Sequence, residues 1–224
     1  MSKEPTRFKQ TEIGELPEEW EVVKLGDVAV LEMEQIPVST LPENTLYVGM
    51  EHIESNTGRL LTDELPTVQG IKGLVFQFTP EHILYGKLRP YLNKVWKPDF
   101  SGVCSTELVP IRCNKNQINS DYLKFWLLSP MFVAYAKKFS EGTRMPRVNL
   151  KALINAPIPL PPLEEQKQIV EMLSTIDAAI ENERRYLRVL EKCRRWLLDN
   201  LLTGKIRLSP EVDEILKGVL PDAF

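Results

Sequence analysis

The sequence predicts an α+β protein in which a mixed globular domain, residues 1–157, is followed by a long α-helix that needs a helical partner. Three observations carry this reading. Short β-branched and aromatic runs, broken by turn residues, fill the first two-thirds of the chain. A proline-dense stretch, "IPLPPLEEQKQIV" at residues 158–170, then interrupts them. From there to residue 202, apolar residues recur at alternating spacings of four and three.

The elements follow in order. "TEIGELPEEWEVVKLGDVAVLEM" opens with a turn at Leu16 and Pro17, and Trp20, Val22 and Val23 supply a short apolar strand or cap. "NTLYVGMEHIESNTGRLL" reads as strand, "SNTG" turn and strand. "GLVFQFTPEHILYGKLRPYLNKVWKP" reads as short strands separated by "TPE" and "KLRP", and "GVCSTELVPIRC" as a further strand-like run. "NSDYLKFWLLSPMFVAYAKKFS" is helical, capped by Asn119 or Ser120 and interrupted at Pro130.

Pro159, Pro161 and Pro162 fix φ and remove backbone donors, so the stretch before the helix is extended and stiff. Pro162 suits the first helical position, and Glu164 and Glu165 suit the positive end of the helix dipole. Residues 158–204 therefore form a proline joint and long helix. Residues 205–224 form a tail, with "SPEVDEILKGVL" as one more short helix. The heptad seam is Ile169, Leu173, Ile176, Ile180, Glu183, Leu187, Leu190, Arg194, Leu197 and Leu201. About forty residues at 1.5 Å each make a helix roughly 60 Å long, and Gly204 is positioned to cap it. So narrow a seam over such a length is better buried by a second helix than by the chain's own domain.

The chain has 224 residues, 43% of them hydrophobic, enough for a sizeable core, and no apolar run near the ~20 residues that span a bilayer. The first residues lack a signal-peptide core, so a cytoplasmic protein is expected. Cys104, Cys113 and Cys193 show no CxxC spacing, and His52 and His82 have no second ligand at helical spacing, so no metal centre is expected. The net charge of −3 hides a segregation. Residues 1–67 carry 5 Lys/Arg against 14 Asp/Glu, whereas residues 68–151 carry 13 against 5. The middle third is a candidate phosphate-facing surface.

Several enzyme classes are excluded by motif. There is no GxxxxGK[ST] loop, glycine-rich dinucleotide turn, nucleophile elbow, or N/D-P-P-Y/F loop for methylating base amino groups. A metal nuclease would use Asp99 and Glu107, but the lysine such sites need two residues later is Val109 here. No catalytic residue is assigned to this chain.

The stretch from "EGTRMPRVNLKALINAPIPLPPLEEQKQIV" to "LLTGKIRL" closely resembles the conserved region of specificity subunits of Type I restriction–modification systems. "TEIGELPEEWEVVKLGDV" looks like the opening of a target-recognition domain in that family, and "ILYGKLRPYLNKV" and "GVCSTELVPI" resemble its internal boxes. The resemblance covers nearly the whole chain. It implies a non-catalytic DNA-specificity subunit whose proline joint seats the recognition domain on a helical spacer. Family members usually carry two such domains and two such helices, packed as an antiparallel pair. This chain has one of each, which resembles a half-size subunit and implies a homodimer with antiparallel helices reading an inverted repeat across a fixed gap. The resemblance also implies a methyltransferase subunit that brings S-adenosylmethionine and methylates adenine, with no cofactor in this chain, and a restriction subunit for cleavage. Tyr186, Arg188, Arg195 and Trp196 on the outer helix positions are candidates for the methyltransferase contact, and burial of Trp196 in the dimer stays open as a second reading.

Candidate DNA contacts follow from residue chemistry. Arginine and lysine neutralise phosphates and read guanine, while asparagine suits adenine. "GKLRPYLNK" presents Lys87, Arg89, Tyr91, Asn93 and Lys94 in one constrained loop, and "EGTRMPR" presents Thr143, Arg144 and Arg147 in another; Lys72 and Lys97 are candidates at the backbone. Second readings stay open for three of them: Arg89 pairing with a carboxylate, Tyr91 in the core, and Arg144 bracing the joint. Lys137 and Lys138 either contact phosphate or offset a helix dipole. A coiled-coil scaffold without DNA specificity is the alternative function, and it has no need of the basic middle segment.

Overall fold

The computed structural model describes residues 7–62 and 64–207, and the short helix expected within the tail lies outside them. Two compact units are resolved, residues 1–171 and residues 172–224.

The first unit opens with strands β1 (Phe8–Thr11), β2 (Gly14–Pro17) and β3 (Glu21–Lys24), helix α1 (Leu25–Val28), and strands β4 (Ala29–Leu31), β5 (Gln35–Pro37) and β6 (Tyr47–Val48). Strands β7 (Leu74–Phe78), β8 (His82–Gly86), β9 (Val95–Trp96), β10 (Gly102–Ser105) and β11 (Leu108–Cys113) follow. Helices α2 (Ser120–Leu128) and α3 (Pro130–Lys138) come next, then β12 (Ser140–Glu141), β13 (Arg147–Val148), α4 (Leu150–Ile154) and β14 (Pro157–Leu160). The long helix α5 is Leu163–Leu201.

Two four-stranded sheets, ordered β5-β7-β10-β6 and β4-β11-β8-β9, form the centre. Their packing is written in the alternation of side chains along each strand. On β8, Ile83 and Tyr85 join Leu123, Leu127 and Phe132 of α2 and α3 in one core, while Leu84 joins Phe76, Phe78 and Cys104 of the other sheet in a second. Strand β11 divides in the same way, Val109 and Ile111 to the helices and Leu108 to the sheet. Covered on both faces, β8 shows no alternation with polar residues, and all five of its residues are buried. The outer face of the first sheet, Val75 and Val103, is closed by Val38 of the 3-10 turn Val38–Thr40 and by Val68 from a loop.

The expected helix after residue 118 is present as two. Asn119 caps α2 by accepting from the amides of Asp121 and Tyr122, and Ser129 caps α3 ahead of Pro130 by accepting from Phe132. In "NTLYVGMEHIESNTGRLL" only Tyr47–Val48 is a regular strand. A 3-10 turn follows at Met50–His52, and the "SNTG" turn forms with Asn56 and Gly58 at positive φ.

The boundary expected at residue 157 moves to residue 171. The proline stretch is a strand: β14 pairs antiparallel with β3, Ile158 opposite Val23, and Ile158 is fully buried. Tyr122 donates its hydroxyl hydrogen to the Pro159 carbonyl at 2.8 Å. The first turns of α5 are fastened to the same body. Gln166 is 0% exposed; it accepts from the Asn119 amide at 2.8 Å and donates to the carbonyls of Pro161 and Gln117 at 2.9 and 3.2 Å. Trp20 Nε1 donates to Glu165 at 3.0 Å. Pro162 stands one place before the position expected for it, its carbonyl accepting from the amides of Glu165 and Gln166. Glu164 and Glu165 occupy the first turn as the sequence indicates.

In the second unit α5 continues to Leu201, and Gly204 follows it at φ +69° with its amide bonded to the Leu201 carbonyl, the left-handed stop that glycine permits. No helix among the described residues is long and apolar enough to cross a membrane.

Candidate nucleic-acid interface

Two loops selected from sequence meet on the first unit. One follows β8. Arg89 and Asn93 bracket the turn Pro90–Leu92, both in the left-handed region at φ 49° and 46°. The other joins β12 to β13, with Gly142 at φ 94° opening a tip that exposes Thr143, Arg144 and Met145. Backbone hydrogen bonds stitch them together: the Arg89 amide donates to the Pro146 carbonyl at 2.7 Å, and the Val148 amide donates to the Lys87 carbonyl at 2.9 Å. The Lys87 amide in turn donates to the Glu107 carbonyl at 3.0 Å.

Glu107, immediately before β11, holds the stem of the tip through its side chain. Arg147 donates Nε to both carboxylate oxygens at 3.1 and 3.0 Å and Nη2 to Oε1 at 2.7 Å. This charge-assisted fork raises the guanidinium's hold on its proton. At the foot of the same stem, Asn149 donates to Glu141 at 2.6 Å. The tip is therefore a short finger on a braced base.

The ten candidate contacts divide. Lys87, Arg89, Tyr91, Thr143 and Arg144 lie on the two stitched loops, with Arg89, Tyr91, Thr143 and Arg144 exposed. Lys87, Arg89 and Arg144 have no ion-pair partner among the described residues, so the expected alternative for Arg89 is not realised there. Tyr91 is half exposed and not in the core. Asn93 is corrected: it is 5% exposed, and its amide donates to the Leu128 carbonyl at 2.8 Å and to Asn56 at 3.2 Å. Leu128 ends α2, so Asn93 serves a helix end that would otherwise lack a donor, and in this conformation it cannot reach a base. Lys94 donates to the Met50 carbonyl at 2.7 Å, and its partial burial lowers its pKa. Lys97 pairs with Asp121 at 2.6 Å, and Lys72 lies exposed in the loop before β7. At the end of α3, Lys138 lies over the Phe139 ring at 5.5 Å.

Glu107, one of the two carboxylates a metal nuclease would use, is already occupied by Arg147. The described residues contain no group of three His, Cys, Asp or Glu able to hold a metal ion. Both histidines have structural partners. His52 accepts from the Gly49 amide at 2.9 Å. His82 accepts from the Thr79 amide at 3.0 Å and bonds Glu32 at 2.8 Å.

Sequence reasoning missed three contributors. Glu107 entered only as a metal ligand, because its partner lies 40 residues away and no spacing signals the pair. Nothing in the sequence sets Gln166 apart from the other polar residues of the helix start. Met145, 45% exposed between Arg144 and Pro146, carries no charge to mark it.

On the helix, Ile169 is removed from the expected seam because it packs on the core of the first unit. Leu173, Ile176, Ile180 and Leu187 are exposed, and Leu190, Leu197 and Leu201 are partly exposed. So are the outer positions Tyr186, Arg188, Arg195 and Trp196, with Arg188 paired to Glu181 at 2.8 Å.

The family model for the Type I restriction modification DNA specificity domain matches residues 17–192. The chain is 31% identical over 172 residues to the EcoDI specificity subunit of Escherichia coli, covering 77% of this chain and 38% of that protein. It is 31% identical over 213 residues to the MjaVIII specificity subunit of Methanocaldococcus jannaschii, covering 90% and 50%. The chain thus spans half or less of the length of these two relatives. Its structure is similar to the crystal structure of the HsdS subunit from Thermoanaerobacter tengcongensis, with a TM-score of 0.64, 25% identity, and coverage of 87% of this chain and 53% of that one.

Proposed function

Since this chain belongs to the Type I restriction–modification DNA specificity family, we propose that it reads one half of a bipartite site in double-stranded DNA and positions a methyltransferase subunit on adenine. The observation that carries the reading is the stitching of the two basic loops, Arg89 amide to Pro146 carbonyl, which joins Lys87, Arg89, Tyr91, Thr143 and Arg144 into one recognition face. Arg89 and Arg144 reach phosphates or guanine edges, and Tyr91 and Thr143 make the shorter-range contacts. Lys72 adds a peripheral phosphate contact.

The chain itself is non-catalytic. The methyltransferase subunit supplies S-adenosylmethionine and extracts the target adenine from the stack. Tyr186, Arg188, Arg195 and Trp196 offer the outer helix surface to the methyltransferase. The exposed seam from Leu173 to Leu201 supports a homodimer through an antiparallel coiled coil, with a recognition domain contributed by each copy.

The test is a map of methylated adenines in a plasmid propagated with the candidate methyltransferase, with and without this chain. A methylated inverted repeat with a fixed gap, present only with the chain, is the expected result. Absence of chain-dependent methylation overturns the proposal. Separately, affinity for duplex DNA should fall steeply as salt rises, whereas flat or absent binding favours a scaffold.

A further inference from the structure

Beyond Ile169 the seam of α5 carries two charges, Glu183 and Arg194, among seven apolar positions. Both are exposed, and neither has an ion-pair partner among the described residues. They lie on one face of the helix, eleven residues or about 16 Å apart, too far to meet within one chain. A charge on a coiled-coil seam is costly unless it is answered across the interface, and for that reason such residues fix register and orientation.

We infer that the seam is covered by a second copy of this chain in one specific register, in which Glu183 of each copy faces Arg194 of the other. This deepens the homodimer proposed above and rests on it. The register follows from two-fold symmetry. Setting Glu183 against the partner's Arg194 simultaneously sets Leu187 against Leu190, Ile180 against Leu197, and Ile176 against Leu201. Every seam residue between Ile176 and Leu201 then meets another seam residue. A central leucine cluster on the axis is bracketed by two reciprocal ion pairs.

The neighbouring registers fail on the same two residues. Sliding by one heptad sets Glu183 against Leu187 and Arg194 against Ile176. Sliding the other way sets Glu183 against Leu201 and Arg194 against Leu190. A parallel, in-register pair sets Glu183 against Glu183 and Arg194 against Arg194. The antiparallel register with both charges paired is the only one of these that leaves none buried against leucine, isoleucine or a like charge.

The register also sets a length. Glu171 of one copy and Glu171 of the other lie thirty-five residues apart along the pair, about 52 Å at 1.5 Å per residue. A slip of one heptad changes this by about 10 Å, roughly three base pairs of duplex at 3.4 Å each. Glu183 and Arg194 thereby fix the length of paired helix between the two copies without touching DNA.

The experiment uses the full chain and the variants E183R and R194E, with mass by sedimentation equilibrium and helicity by circular dichroism. Wild type should be a dimer. Each single variant should weaken self-association at least about tenfold, because both pairs become like-charged. An equimolar mixture of the two variants should dimerise nearly as wild type does, because E183R supplies arginine at both positions and R194E supplies glutamate at both. A wild-type dimer whose variants associate normally, or whose mixture shows no recovery, overturns the register and leaves the homodimer standing. A wild-type chain that remains monomeric at about 50 μM assigns the seam to another protein's helix and overturns both. If single variants lose helicity, the mixture still decides: recovered helicity and dimer mass support the register, and their absence overturns it.

Discussion

Arg147 grips Glu107 through two guanidinium nitrogens, its shortest bond being 2.7 Å from Nη2 to Oε1, and so ties the base of the Thr143–Arg144–Met145 tip to the first residues leading into β11. A guanidinium held this way is a fixture of the protein before any DNA arrives. Its neighbour Arg144, three residues earlier, has no such partner among the described residues.

These two arginines should therefore behave oppositely. Arg144→Ala should lower the slope of log affinity against log salt by about one, as expected for loss of one phosphate neutralisation. Arg147→Ala should leave that slope unchanged and instead loosen sequence discrimination, because the tip loses its anchor. Salt titrations on duplex DNA of mixed sequence, paired with methylation maps, check both. Equal slope changes for the two variants would disprove the division.

Gln166 predicts a stability effect at a helix start. Replacing it with leucine strands the Asn119 amide and the carbonyls of Pro161 and Gln117 in a buried site. The expected cost is about 2–4 kcal/mol, read from the urea midpoint. Trp20→Phe removes one bond to Glu165, with an expected cost of about 1 kcal/mol.

Glu32 should dominate part of the acid limb of stability. Its hydrogen bond from His82, opposed by partial burial and reinforced by Arg112, holds its carboxyl below the usual range. A depressed carboxyl favours the folded state in full above the unfolded value of about 4.3, and that contribution is lost as pH falls through the lower folded value. Glu32→Gln keeps an acceptor for His82 but has no proton to gain, so its stability profile should be flatter below about pH 4.5. Denaturation midpoints between neutral pH and pH 3 provide the comparison.

Thiol labelling should separate the three cysteines. Cys104 and Cys113 are buried, and burial pushes both thiols up to about 12, so neither forms appreciable thiolate near neutral pH. Cys193 on α5 is partly exposed. A disulfide reagent should titrate one thiol rapidly in the native chain and three in denaturant. Rapid reaction of two or more native thiols would contradict the burial of the sheet pair.

Much of this was legible in sequence where the cause is local. Asn119 announced α2 because a capping side chain acts within three residues, and the long helix announced itself by periodicity. The proline stretch was read as extended, yet not as a strand, because its partner β3 lies more than 130 residues earlier. The recognition loops were visible as basic segments confined by glycine and proline. Their stitching was not, since it runs through backbone atoms whose pairing no side chain signals. Asn93 shows the converse error: residue type suggested a base contact, whereas its left-handed backbone and its position beside Leu128 commit the amide inward. Ile169 fits the heptad, but a repeat cannot tell which of its members the first unit claims.

Strands β8 and β11, covered on both faces, have a consequence in time. Their amides can exchange with solvent only when both layers separate, so they should be among the last in the first unit to take up deuterium. Lys87 follows one of these strands directly, and Glu107 directly precedes the other. The surface assigned to reading DNA thus hangs from strands expected to be among the last in their unit to open. Loop residues there can be exchanged for others, and the specificity altered, while the element that holds them in place stays closed.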